Sequence, residues 1–282
     1  MRSYPFTLVN VFAESHFGGN PLAVFPEADG LTDSDMQQIA KQFNLSETVF
    51  AFSSQTAVAD LRIFTPEHEL PLAGHPTLGC AYVLKKAQNL PDVFVLNTQA
   101  KAVQLHSQQD QIEMAIQGYE IKPSLASQSQ LAECLGLSAT SIAPTAYWLN
   151  SGSPQLLLEL LEPHALEQLQ INHSKVQQIC QQDGGRTAIY LWCEQGEQIF
   201  TRFFYAENGV MLEDSGTGSA CANLGAYFLA QGKYPLTSKV YQGDQMGRPN
   251  RLSLKLDETQ TIFVGGKVIE VGEGQFKLPC KG

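Results

Sequence analysis

The sequence predicts an α+β protein of two similar halves, each a curled, mostly antiparallel sheet around a central apolar helix. Three observations predict it. Residues 62–77 lie over residues 202–217 without a gap, strand-like segments outnumber helical ones, and two late segments, CAYVL and ACANLGAYFLA, are small and apolar on nearly all sides. A helix that is hydrophobic all round is buried all round. These segments are too short to span a membrane, so each belongs inside a wrapped sheet.

The repeat comes first. Arg62, Phe64, Glu67, Leu72 and Thr77 match Arg202, Phe204, Glu207, Leu212 and Thr217, five identities in sixteen positions, where roughly one is expected from ordinary residue frequencies. In the same register, residues 48–52 lie over 188–192, both apolar and β-prone. Chance similarity between two β-rich stretches is the alternative. Agreement of type, order and register over several elements favours duplication. The halves are placed at 1–118 and 119–282, with the last strand able to pair back onto the first half.

In the first half, a strand near 4–13 leads through a Gly-Asn-Pro turn to a strand at 21–25. Thr32 is a candidate N-cap for a helix whose Met36, Ile39, Ala40 and Phe43 form one stripe. Strands follow at 47–53 and 58–65, then the loop 66–73 and a second helix opening at Gly74-His75-Pro76-Thr77. Proline suits a first helical turn. In the second half, Ser174 is a candidate cap for a helix burying Val176, Ile179 and Cys180. Strands are expected at 187–193 and 199–205, and Asp214–Ser219 opens the last helix.

Composition narrows the function. The chain has 282 residues, 43% hydrophobic and 16% charged, an ordinary globular balance. Its net charge of −10 is shared by both halves, and its largest basic cluster is Lys85-Lys86. A phosphate backbone needs a basic face, so nucleic acid is not the expected partner. No apolar run approaches a membrane span. The six cysteines include no C-x-x-C pair and read as reduced thiols of a cytoplasmic protein. The six histidines show no paired ligand spacing, so no metal site is signalled.

Three candidates for chemistry remain. Each late helix start puts backbone N–H groups and partial positive charge beside a Gly-rich turn, which suits a small carboxylate; an ordinary tight turn reads the same way. Glu47 heads an apolar strand. Entering the core there would desolvate it and raise its pKa, as a general acid/base requires, although a solvent-facing carboxylate is equally compatible. His75 can move a proton near neutral pH, and Asp214 departs from its repeat partner Gly74. Their plainer readings are a surface histidine and a capping aspartate. Thr217 and Ser219 also read as capping hydroxyls.

The stretches GGNPLAVF, NLSETVF, FTPEHELPLAGHPTLG and EDSGTGSACANLGAY resemble the PhzF-like proteins, named for an isomerase of phenazine biosynthesis. The resemblance covers nearly the whole chain in order. It implies the diaminopimelate-epimerase-like fold, with the active site between the halves. The duplication by itself leads to the expectation that both late helix starts meet at one cleft, with the carboxylates of Glu47 and Asp214 within about 10 Å, a separation at which paired carboxylates serve one substrate. The resemblance places the acid/base on Glu47, an active-site histidine on His75, and an aspartate and serine on Asp214 and Ser219. Ser46, Gly74, Thr217 and Gly218 join Ser219 as substrate-binding residues. Related epimerases carry two cysteines near the places aligned with Gly74 and Asp214, and neither is Cys here, so two-thiol racemisation is disfavoured. The second motif commonly reads D-P-A-T-G-S-A in that family; here Ser215 and Gly216 replace Pro and Ala.

The expectation is an isomerase of a small carboxylate-bearing metabolite, without metal or organic cofactor, and by resemblance a homodimer. An epimerase using the carboxylates, and a non-catalytic binding or scaffolding protein that keeps the pocket, are the alternatives.

Overall fold

The computed structural model describes residues 1–207 and 209–280. The chain falls into two compact units, one of Met1–Ala115 with the segment from Gly265 onward, the other of Ile116–Val264. The division expected at 118/119 therefore lies at 115/116, and the last segment belongs with the first unit.

The first unit contains β1 (Arg2–Val11), β2 (Asn20–Phe25), α1 (Asp33–Phe43), β3 (Thr48–Phe52), β4 (Asp60–Phe64), the short β5 (Glu69–Leu70), α2 (Gly74–Gln88), β6 (Val93–Asn97), β7 (Ala102–Gln108) and β8 (Gln111–Ile116). Most of the final strand, Ile262–Leu278, also lies here. β1 pairs with β2 on one side and with the final strand on the other, from Arg2↔Leu278 to Val11↔Val268. β2 pairs with β3, β3 with β4, β4 with β6, β6 with β7, β7 with β8, and β8 with the final strand. The eight strands close a ring, so none of them ends the sheet as a free edge.

Both faces of this sheet are covered. α1 starts with a reciprocal cap: Asp35 N–H donates to Thr32 Oγ1 and Thr32 N–H to the Asp35 carboxylate. Its Met36, Ile39 and Ala40 pack with Ala23, Phe25, Phe50 and Phe64. α2 contacts β1, β2, β3 and β7 and buries His75 through Ala81 with Val83 and Leu84. It lies so close to β2 that a Cβ on Gly79 would sit 2.4 Å from Leu22 Cδ2. β2 is thus apolar at nearly every position, as a strand buried on both faces must be.

The second unit contains β9 (Glu120–Pro123), α3 (Gln128–Leu135), β10 (Tyr147–Asn150), β11 (Gln155–Glu159), α4 (His173–Gln182), β12 (Ala188–Gln195), β13 (Gln198–Glu207), β14 (Val210–Asp214), α5 (Gly218–Ala230), β15 (Leu236–Gln242) and β16 (Asn250–Leu256). The ladder runs β9, β10, β11, β12, β13, β15, β16, with β14 folded onto β13 as a hairpin. α3 and α4 pack on β11 and β12 through Leu131, Leu135, Val176, Ile179, Leu156, Leu158 and Ile189. α5 contacts β10, β11 and β16 and is buried from Ala220 to Ala226.

Two local expectations are corrected. The cap of α4 is Asn172, whose side chain accepts from Lys175 N–H, and Ser174 lies inside the first turn. The ungapped register of the repeat holds only to Phe64 and Phe204. Phe64 pairs with Glu69, but Phe204 pairs with Glu213, because the second hairpin is four residues longer. Gly74 is therefore equivalent to Gly218 and His75 to Ser219, while Asp214 matches Leu70. The ion pairs mark the true register: Arg62 forks onto Glu69 and Arg202 onto Glu213, and each guanidinium lies over the ring two residues on, at 5.3 Å from Phe64 and 4.9 Å from Phe204.

Candidate functional site

In the first unit the site residues gather where α1 hands over to β3 and where α2 begins. α1 ends on Asn44 in the left-handed conformation, its N–H bonded to Ala40 O. That turn delivers Ser46 and Glu47 to the head of β3. Ser46 Oγ donates to Oδ1 of buried Asn20, at 3.4 Å. The Glu47 side chain is 17% exposed and that of His75 6%. Their Oε2 and Nε2 atoms lie 3.6 Å apart and both are shielded from solvent. In such surroundings a charge on either group is costly alone and favourable opposite its partner.

His75 is the second residue of α2, behind N-cap Ala73, which offers no side-chain cap. The Thr77 hydroxyl donates to Ala73 O at 2.8 Å and closes the first turn. The N–H groups of Gly74 and His75 have no intrahelical acceptor and Pro76 has no N–H, so two amides carry the positive end of the helix.

In the second unit Asp214 ends β14, and its carboxylate folds back over the turn that opens α5. Oδ2 accepts from the Thr217 hydroxyl at 2.6 Å and Oδ1 from Gly216 N–H at 3.3 Å. Buried Gln242 locks this turn. Its Nε2 donates to Asp214 O and to Thr217 Oγ1, and its Oε1 accepts from Thr217 N–H. The Thr217 hydroxyl is thus engaged inside the turn on both its donor and acceptor sides. Thr217 is the N-cap residue, yet neither it nor Ser219 caps the helix through its side chain. The amides of Gly218, Ser219 and Ala220 precede the first intrahelical bond, from Cys221 N–H to Thr217 O. Ser219 Oγ accepts from Gln155 Nε2 at 2.9 Å.

The sequence reading missed Gln155, Asn223, Gln242 and Asn250. Each is a polar residue at 0 or 1% exposure, Gln155 and Asn223 beside apolar runs and Gln242 and Asn250 on the buried face of alternating strands. That contrast is the signal that could have found them, since a buried amide needs partners. Cys80 and Cys221 are fully buried, and burial alone pushes both thiols far above their usual range. No group of three His, Cys, Asp or Glu among the described residues is arranged to hold a metal ion, and no helix of theirs is long and apolar enough to cross a membrane.

Comparison with known proteins follows the same lines. A family model described as phenazine biosynthesis-like protein, PhzC-PhzF, matches residues 9–274. An uncharacterized isomerase of Pasteurella multocida is 50% identical over 99% of this chain and 96% of its own. The trans-2,3-dihydro-3-hydroxyanthranilate isomerase of Pseudomonas chlororaphis is 30% identical over 97% of this chain and 99% of its own. Among solved structures, a PhzF family protein of Bacillus anthracis superimposes with a TM-score of 0.85 at 22% identity, covering 99% of this chain and all of that one. A hydroxyproline epimerase from Agrobacterium vitis shares the fold more distantly, with a TM-score of 0.61 at 12% identity over 97% of this chain and 92% of its own. The fold is therefore the epimerase-like α+β fold.

Proposed function

Because this chain belongs to the phenazine biosynthesis-like PhzC-PhzF family, we propose that it is an isomerase that shifts a proton within a small unsaturated acid, with Glu47 as acid/base. The observation that carries this is the Glu47–His75 pair, shielded from solvent at the start of a buried helix. The Glu47 carboxylate takes a proton from one carbon of the substrate. The electron pair spreads through the adjacent unsaturation, and the same group returns the proton at another position. Nothing is oxidised or reduced, and no atom is gained or lost. His75 holds the Glu47 carboxylate in place and shares its proton.

The helix-start amides and the Ser219 hydroxyl are assigned to the substrate carboxylate, where fixed dipoles stabilise the charge that develops as the proton leaves. Asp214, fixed by Gly216 and Thr217, is assigned to a polar group of the same substrate. A cytoplasmic homodimer acting on an anionic metabolite is part of this reading. The 30% identity to the isomerase of Pseudomonas chlororaphis makes trans-2,3-dihydro-3-hydroxyanthranilate the first compound to try.

The test is turnover in deuterium oxide, beginning with that compound and extending to related unsaturated acids. Isomerisation leaves deuterium at the new C–H position, whereas epimerisation leaves it in an unchanged skeleton with inverted configuration. Glu47→Gln is expected to lower kcat by about 10²–10⁴-fold, the usual scale of a positioned acid/base. Full turnover by that variant on the true substrate would remove Glu47 from the mechanism.

A further inference from the structure

Behind the start of α5 lies a chain of buried amides whose direction can be read from its ends. Asn223 Oδ1 accepts from Ser151 N–H at 2.8 Å and from the Ser151 hydroxyl at 2.7 Å, and its Nδ2 donates to Ser153 O at 2.9 Å. A backbone N–H can only donate and a backbone carbonyl can only accept, so these contacts fix which way the Asn223 amide faces. Its Nδ2 also donates to Gln155 Oε1 at 2.8 Å. That fixes Gln155 in turn and leaves its Nε2 pointed at Ser219 Oγ, 2.9 Å away. Gln155 and Asn223 are both 0% exposed, so water cannot substitute for either contact. Ser219 therefore receives a hydrogen bond from behind, and no acceptor among the described residues takes its own proton.

We propose that Gln155 and Asn223 are positioning residues that turn the Ser219 hydroxyl to donate toward the substrate's carboxylate. This rests on the reading above that Ser219 meets an anionic group. A free serine hydroxyl rotates between donor and acceptor roles; this one has one of its two acceptor lone pairs taken by a fixed N–H. An anion then meets a donor whose rotation is already restricted, so less rotor freedom is lost on binding.

The test uses anthranilate as an anionic probe, its Kd measured by calorimetry across pH 5 to 9. Ser219→Ala is expected to raise the Kd about tenfold, equivalent to about 1.4 kcal/mol. Gln155→Glu should raise it as much at alkaline pH, where a carboxylate at that position takes the Ser219 proton. It should recover toward wild type at acid pH, where a protonated carboxyl donates as Gln155 does. Added to Ser219→Ala, it should have no further effect. A merely structural role for Gln155 would give neither the pH recovery nor the dependence on Ser219.

Wild-type affinity of a folded Gln155→Glu variant at alkaline pH, or a loss that persists in the Ser219→Ala background, overturns the proposal. Should Gln155→Glu not fold, Gln155→Met carries the same comparison, with a several-fold rise in Kd expected only when Ser219 is present. Failure of the wild type to bind anthranilate counts against the carboxylate reading. The network is then judged in the ligand-free protein by NMR: the Gln155 side-chain N–H signals must be protected from exchange and must move in Ser219→Ala. Unprotected or unmoved signals overturn it.

Discussion

A Cβ added to Gly216 would lie 2.3 Å from Oδ1 of Asn250. Asn250 is fully buried at the head of β16 and donates through Nδ2 to Arg248 O at 3.0 Å. The space that a side chain at Gly216 would fill is taken by one reaching over from β16.

Gly216→Ala should therefore force Asn250 aside and destabilise the protein by about 1–3 kcal/mol, the scale of overpacking in a filled interior. Asn250→Ala in the same chain should restore part of that loss, with a coupling of about 0.5–3 kcal/mol. Urea unfolding of the two single variants and the double one measures it. Strict additivity would show that the two residues do not compete for this space.

His75→Asn should keep the fold and lose chemistry. The contact of Nε2 with Glu47 Oε2 at 3.6 Å is removed, and with it the group that shares the proton. We expect kcat to fall at least about 10²-fold with a smaller change in KM. A kcat within a factor of two of wild type would end the assignment of His75.

The thiols should be silent in catalysis. Five of the six cysteines are buried, and Cys280 is exposed. Burial pushes Cys180 and Cys193 up to about 11; burial, and then the neighbouring Cys180, push Cys134 up to about 12. Brief iodoacetamide treatment of the native protein should add one label, at Cys280, and leave turnover unchanged. A Cys80→Ala, Cys221→Ala double variant should also turn over. Because these folded-state values are raised, the stability they affect is intact below the unfolded value of 9.0 and is lost as pH rises from there through the folded values. Denaturant midpoints should accordingly fall on the alkaline side.

Asp183 should govern part of the acid side. Burial alone would raise its pKa, but donors from the Ser124 hydroxyl, the Trp148 indole and Leu125 N–H outweigh it and hold the carboxyl below its ordinary value of 3.8. The sign is that of a depressed acid: its stabilisation is present above 3.8 and disappears as pH falls through the lower folded value. Asp183→Asn should flatten the pH dependence of the urea midpoint below about pH 4. Asp183→Ala should cost about 1–3 kcal/mol by stranding the Trp148 N–H. An unchanged acid limb in the Asn variant would count against this role.

What the sequence made legible was what short-range pattern encodes. α1 was readable from Thr32 and its stripe, and α2 and α5 from their all-round apolarity. The family motifs pointed to Glu47 and His75, and the fold brings these two side chains together. The second-half register was misread because Glu67/Glu207, Leu72/Leu212 and Thr77/Thr217 are coincidental matches across hairpins of unequal length. The forked Arg202–Glu213 pair, which reveals the shift, exists only once β13 and β14 are paired. Asn172 rather than Ser174 caps α4; both residue types are good caps, and nothing local chooses between them. The amides of Gln155, Asn223, Gln242 and Asn250 stayed hidden because their partners are distant in the chain, and periodicity carries no information about which buried polar groups meet.

The closure of the first unit by β1 and the final strand has a consequence in time. Arg2–Val11 is made early and Val268–Leu278 late, with the whole second unit between them. The second unit is one continuous stretch, so all its strands are available before the first ring can close. Bringing the two terminal strands together spends the entropy of a long loop before any ladder bond repays it. Until then β1 and β8 each lack one neighbour, and the α2 face of the sheet is only partly enclosed. The first ring therefore cannot be complete until the final strand has been made, although most of its strands come early in the chain. During that interval its open strands are the segments most exposed to pairing with another chain.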